Sequence, residues 1–133
     1  MKYSLDTNTC IRYINGRSPK LRAKLPTIPA NDIIVCSVVR GELFYGSSKS
    51  QTPAVSLAKQ IRFLRPYASI SFDDQAASAY GAVRAKLENL GQPIGIHDML
   101  IAAIALTHNL IVVTHNVAEF TRIDGLKVED WEA

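Results

Sequence analysis

Apolar residues along this chain come in two patterns that take turns: short unbroken runs, and longer stretches in which they recur every three or four positions. Unbroken runs such as Ile33-Ile34-Val35-Cys36 and Leu110-Ile111-Val112-Val113 are what strands buried on both faces of a sheet show. An extended segment over residues 2–6 precedes a helix over 7–15, where Cys10, Ile11 and Ile14 share a face and Gly16 supplies a stop. Residues 18–25 give a basic helical turn or two, closed by Pro26 and Pro29. After the strand at 33–36, Ser37 suits the N-cap of a helix running to about Gly46. Helical spacing returns over 53–65 through Val55, Leu57, Ala58, Ile61 and Leu64. Residues 68–72 then read as a strand, and Ser71 or Asp73 caps a long helix carrying Ala76, Ala77, Tyr80, Val83 and Leu87 up to Leu90 and Gly91.

The loop Gly91-Gln92-Pro93-Ile94-Gly95 leads into the most apolar helix, 97–108, which is apolar nearly all round and predicts burial. Asn109 suits its C-cap. The strand 110–114, a short turn over 116–120 and a last strand near 126–128 follow. Strands alternating with helices predict an α/β fold: a three-layer α/β/α domain around a mainly parallel sheet. In such a sheet a ligand crevice opens beyond the carboxyl ends of the strands, so residues there come first as candidates for chemistry.

Length and composition leave this picture intact. The 133 residues suit one domain, 1–133, able to bury roughly two-thirds of its extended surface, and 47% apolar with 20% charged residues is ordinary for a globular chain. The longest apolar stretch, residues 99–106, is well short of a membrane span, and the chain opens on a strand-like pattern without a leader. A cytoplasmic location is expected. Cys10 and Cys36 sit among apolar neighbours without metal or redox spacing and read as buried small hydrophobes. The charge of +3 is unevenly spread: residues 1–65 carry about +8 and residues 66–133 about −5. A basic half suggests a polyanionic partner, unless folding intermixes the two halves.

Four acids stand where chemistry is expected. Asp6 ends the first strand, although Asp6 or Thr7 would equally cap the next helix. Glu42 follows Val38 and Val39 by four and three residues and so falls on an apolar stripe, where a carboxylate is costly without a cationic neighbour; Arg40 points elsewhere on the helix. Asp98 opens the apolar helix, ahead of Ile101 and Ala102, with no basic residue in reach, and capping is its rival role. After the strand at 110–114, Asn116 and Glu119 are spaced to share one face of a helical turn. Carboxylates gathered at one edge repel, by about 1 kcal/mol per pair at ~4 Å in water and more in a drier cleft; a hard divalent ion, Mg²⁺ or Mn²⁺, reverses that balance. Such an ion activates water for attack on phosphorus without a side-chain nucleophile, and no nucleophile motif or phosphate-cradling glycine loop is present.

The segments Leu5-Asp6-Thr7-Asn8, Ser37-Val38-Val39-Arg40-Gly41-Glu42-Leu43, Ile94-Gly95-Ile96-His97-Asp98-Met99-Leu100-Ile101-Ala102 and Val113-Thr114-His115-Asn116-Val117-Ala118-Glu119-Phe120, with the closing Gly125-Leu126-Lys127-Val128-Glu129-Asp130-Trp131, resemble the VapC-type toxins of the PIN-domain family. The resemblance spans nearly the whole chain. It implies a Mg²⁺-dependent endoribonuclease, with Mn²⁺ as a substitute, forming the toxin half of a type II toxin–antitoxin pair. It maps the metal-binding acids onto Asp6, Glu42 and Asp98, with Glu119 as the fourth catalytic acid and Asn116 and Thr114 in support. Many relatives carry Asp where Asn116 stands, so Glu119 taking over and Asn116 holding a metal-bound water both stay open. It also implies homodimers, a VapB-type antitoxin covering the site, operator DNA bound through that antitoxin, and structured RNA as substrate, tRNA ahead of ribosomal RNA. Arg12, Arg17, Lys20, Arg22 and Lys24 then become candidates for steering the RNA backbone, and His97 and His115 for touching phosphate.

Two other readings stay open on the residues. Asp6-Thr7-Asn8 approaches the Asp-x-Asp motif of phosphohydrolases that form a covalent phospho-aspartate, but lacks the second Asp. Asn116 keeps alive a catalytically silent module that serves only to dock an antitoxin.

Overall fold

A computed structural model describes residues 2–133. Four strands, β1 (Tyr3–Leu5), β2 (Ile33–Ile34), β3 (Ile111–Val113) and β4 (Lys127–Glu129), form one sheet in the order β2-β1-β3-β4, and every pairing is parallel. Between them run α1 (Thr7–Ile14), α2 (Pro19–Lys24), α3 (Ser37–Lys49), α4 (Pro53–Leu64), α5 (Asp74–Asn89), α6 (Ile96–His108) and the single turn α7 (Val117–Phe120). Helices flank the sheet, and the expected α/β architecture is the one observed.

The two inner strands explain where the core lies. Leu5, Val112 and Val113 are essentially without solvent contact, and Val35, Cys36, Val39 and Leu43 carry that apolar layer into α3. Helix α6 is buried through Ile101, Ala102, Ala103, Ile104 and Ala105, so it is the apolar centre that its all-round composition predicts. Asn109 ends it in the left-handed region at φ 53°, where an asparagine is tolerated better than most side chains. Both cysteines are free and buried.

Three local expectations are corrected. Residues 68–72 do not form a strand: Ala68 makes one isolated bridge to Ile34, with Val35 N–H donating to the Ala68 carbonyl at 3.0 Å and Ser37 N–H to that of Ile70 at 3.0 Å. The reason lies in β2, which offers two residues before the chain turns into α3 and so cannot support a longer ladder. Cys36, not Ser37, occupies the N-cap of α3, without a side-chain cap bond. That helix also passes Gly46 and ends at Lys49, because Ser47 is buried and hydrogen-bonded to Gln60 of α4, tying the extra turn to its neighbour. Of the two caps expected for α5, Asp73 is the one used, accepting from Ala76 N–H at 2.9 Å.

The basic and acidic halves are interleaved. Arg12 meets Glu132, Lys20 reaches the Ala133 carbonyl, and the Lys24 ammonium lies 6.0 Å from the centre of the Trp131 ring. No helix among the described residues is long and apolar enough to cross a membrane.

Candidate active site

The parallel sheet delivers Asp6 and Thr114 side by side, because each is the residue that follows a central strand, β1 and β3. Asp6 is 4% exposed and fully engaged: Oδ1 accepts from Thr9 N–H at 2.9 Å, which caps α1, and Oδ2 accepts from the Thr114 hydroxyl at 2.6 Å. Capping and the proposed chemistry are therefore not rivals here, since one oxygen serves the helix and lone pairs remain for a cation. Thr114 also accepts from Asn116 N–H at 2.9 Å, so a single buried hydroxyl links the β3 end, the following turn and Asp6. Burial raises the Asp6 pKa, the Thr114 and Thr9 hydrogen bonds oppose that shift, and the charge of Glu132 adds to it.

Glu42 comes from α3. Its Oε1 accepts from the Thr7 hydroxyl at 2.5 Å, and His97 Nδ1 stands 3.1 Å from Oε2. Its side chain is 28% exposed, less hidden than its place on an apolar stripe suggests. The Arg40 guanidinium is directed away, donating to the carbonyls of Val35 and Tyr67. The sequence singles out Thr7 only as a possible helix cap and His97 only as a candidate for touching phosphate; their contacts with Glu42 are what the structure adds.

Asp98 is the third residue of α6, inside the first turn rather than at its cap, which falls at Gly95. Its pKa is pushed up to about 6, first by burial, then by the charges of Asp6, Glu119 and Glu42, with His97 pulling the other way. Asp6, Glu119 and Glu42 thus lie near enough to Asp98 for their charges to bear on it.

Asp6, Thr7, Asn8, Glu42, Gly95, Ile96, His97, Asp98 and Asn116 line a cleft of about 270 Å³. Three of the four acids thus face one space. Glu119, on α7, lies behind that wall: Asn116 Nδ2 donates to its Oε2 at 2.8 Å, and it reaches the cleft through its effect on Asp98.

The donor set fits a hard cation. It is made of carboxylate and amide oxygens, and it lacks an internal counter-charge strong enough to quiet Asp98. As placed, no three Asp, Glu, His or Cys side chains among the described residues close around one ion-sized point. A cleft of this volume accommodates an ion that keeps several of its waters, which is the habit of Mg²⁺.

Similarity to known proteins places the chain in a family. A family model described as PIN domain matches residues 3–126. The chain is 37% identical over 131 residues to a tRNA(fMet)-specific endonuclease VapC of Salmonella typhimurium, covering 98% of each. It is 38% identical over 133 residues to a ribonuclease VapC2 of Rickettsia felis, covering 99% of each. Among solved structures it is similar to VapBC2 of Rickettsia felis bound to a promoter DNA fragment, with a TM-score of 0.92, 37% identity, and 98% of this chain and 99% of that one covered. With the family model spanning nearly all of the sequence and full-length relatives well above 30% identity, the chain belongs to the PIN-domain family, in its VapC-type branch.

Proposed function

We propose that this chain is an endoribonuclease that depends on Mg²⁺ or Mn²⁺, the toxin of a type II toxin–antitoxin pair. The observation that carries the reading is the meeting of Asp6, Glu42 and Asp98 in one cleft, where burial first and the acidic neighbours second raise the Asp98 carboxyl to about 6. Asp6, Glu42 and Asp98 would hold the ion. When bound, it supplies an activated water and charge compensation for the leaving oxygen.

The protein groups have separable tasks. Thr114 and Thr9 fix both oxygens of Asp6, so this carboxylate enters the reaction already oriented. Thr7 and His97 hold Glu42 across the cleft, and the exposed His97 ring is placed to meet a phosphate oxygen. Asn116 lines the cleft with Asp6, and its amide N–H orients Glu119.

Structured RNA is the proposed substrate, tRNA before ribosomal RNA, because a full-length relative is named a tRNA(fMet)-specific endonuclease. A VapB-type antitoxin is the proposed inhibitor. Beside Glu42 a groove of about 240 Å³ runs between α1, α3 and α4, lined in part by Ile11, Ile14 and Leu43, and an antitoxin segment seated there would obstruct the cleft. Operator DNA would be bound through that antitoxin, in keeping with the solved DNA-bound VapBC assemblies, and homodimers are expected. The site of action is the cytoplasm, where its RNA is.

The test is cleavage of a tRNA panel that includes initiator tRNA, with Mg²⁺, with Mn²⁺ and with chelator, beside Asp6→Asn and Asp98→Asn. Cleavage confined to the metal arms and absent from both variants supports the reading. Folded protein that binds a VapB-type partner but cuts no RNA in any arm would replace it with the silent docking module.

A further inference from the structure

A second hollow of about 430 Å³ adjoins the acidic cleft, sharing Asp6, Asn8 and Asn116 with it, and its other walls are Arg12 and His115. Both of these side chains are held by the segment that follows β4. Glu132 Oε1 accepts from Arg12 Nε at 2.6 Å, and Asp130 Oδ2 stands 3.0 Å from His115 Nδ1. The segment itself is pinned. Trp131 is 7% exposed with its ring edge-on to Tyr3, its indole N–H donates to Glu129 at 3.0 Å, and Glu132 N–H donates to Asp130 at 2.9 Å.

Glu132 is an expensive residue to keep. Its side chain is 6% exposed, its Oε2 is buried without a hydrogen-bond partner, and its charge pushes the neighbouring Asp6 toward protonation. What this carboxylate accomplishes is to fix Arg12. The Arg12 side chain remains 41% exposed, and among the described residues its hydrogen bonding is through Nε alone, leaving the four N–H groups of its two terminal nitrogens open. A guanidinium anchored at Nε presents a planar fork suited to two oxygens of one phosphate. RNA entering the cleft has to bring a phosphodiester up to several carboxylates, so a fixed cation on the adjoining wall is what the approach lacks otherwise.

We propose that Arg12 is a phosphate-binding residue for the RNA backbone next to the cleaved bond, and that Glu132 is the residue that positions it. This rests on the reading of the cleft as an RNA-cutting site.

The measurement is binding of a fluorescent RNA hairpin to the full chain in chelator, across a salt series, for wild type, R12Q, E132Q and the control R84Q, whose arginine pairs with Glu88 on α5. R12Q is expected to bind roughly fivefold more weakly and to lower the slope of log affinity against log salt by about 0.7 to 0.9, the loss of one phosphate contact. E132Q keeps the cation and so keeps the slope, while weakening binding by about twofold. In cleavage assays R12Q and E132Q raise KM and leave kcat within about twofold, the pattern of lost uniform binding. Should R12Q strand Glu132 and unfold, the double variant R12Q/E132Q leaves no buried charge unpaired and carries the same expectation. Equal losses in R12Q and R84Q, or an unchanged slope in R12Q, would overturn the assignment. A wild-type chain that cuts no RNA fails the reading of the site, whereas cleavage with R12Q kinetics equal to wild type fails this inference alone.

Discussion

Asp98→Asn isolates the electrostatic cost of the acidic cleft. In the metal-free chain the Asp98 carboxyl has its pKa raised from 3.8 to about 6, by burial and by Asp6, Glu119 and Glu42. The folded chain therefore keeps a proton between about pH 4 and 6 that the unfolded chain has already released, and stability falls as pH rises through that window. Above about 6 the penalty is complete. The full shift corresponds to about 3 kcal/mol, and because the carboxyl is partly solvated roughly half of that, ~1.5 kcal/mol, is the reasonable cost. Asparagine keeps the shape and removes the charge.

In chelator near pH 7, then, D98N is expected to be more stable than wild type by ~1.5 kcal/mol, which for a chain of this length raises Tm by roughly 5 °C. The gain should shrink steadily as the buffer is taken down to about pH 4.5, where wild-type Asp98 is itself mostly protonated. Mg²⁺ or Mn²⁺ should reverse the ranking, since an ion at 100 times its Kd stabilises the binding-competent wild type by about 2.7 kcal/mol and the weakened site much less. Thermal melts in a matrix of pH and metal concentration read all three effects. If D98N were the less stable protein in chelator, or its advantage did not change with pH, a charge penalty from burial and acidic neighbours would not be what sets Asp98.

Three further outcomes follow from the same geometry. Thr114→Val strips the buried donor from Asp6 and the acceptor from Asn116 N–H, so urea titration should show a loss of about 1–3 kcal/mol, and cleavage should fall by roughly tenfold. Asn116→Asp trades the amide that donates to Glu119 for another charge; it should lower stability in chelator by roughly 1 kcal/mol and tighten Mn²⁺ binding measured by calorimetry. Asn109→Ala forces a Cβ-bearing residue without a local polar group into φ 53° at the end of α6, and should cost about 1 kcal/mol in a denaturant melt while leaving cleavage unchanged.

What the sequence disclosed and what it hid differ by the range of the interactions. Asp6 was legible because it ends the first strand, and a parallel sheet carries such positions to one edge; Thr114 entered only through the family resemblance. Glu42 stood out by breaking an apolar stripe, and Asp98 by heading the most apolar helix. The partners that tune them were not legible. Thr114 meeting Asp6 depends on which strands become neighbours, His97 meeting Glu42 on how α6 is set beside α3, and the Arg12–Glu132 contact joins residues 120 apart. Residues 68–72 misled for a related reason: their composition suits a strand, but the ladder they need is limited by the two residues of β2. The uneven charge of the two halves is offset in part by folding, which sets Arg12 of α1 and Lys20 of α2 against the closing segment.

The placement of Asp98 shows how the fold sustains a cleft that works against its stability. An acid disfavoured by ~1.5 kcal/mol would, at a loosely held helix end, be relieved by fraying of the first turn into solvent. Here that turn leads without interruption into Met99, Ile101, Ala102, Ala103, Ile104 and Ala105, all buried. Releasing it would begin to expose a core in which each large apolar side chain is worth about 1.5–3 kcal/mol. The helix dipole adds a smaller term of the same sign, because Asp98 lies in the first turn, where negative charge is favoured. Asp6 is secured differently, by the cap of α1 and the hydroxyl of Thr114, both built on the central strands. The two acids most central to the proposed reaction are thus attached to the two parts of the molecule least able to yield, and the proposed cation would relieve the repulsion between them.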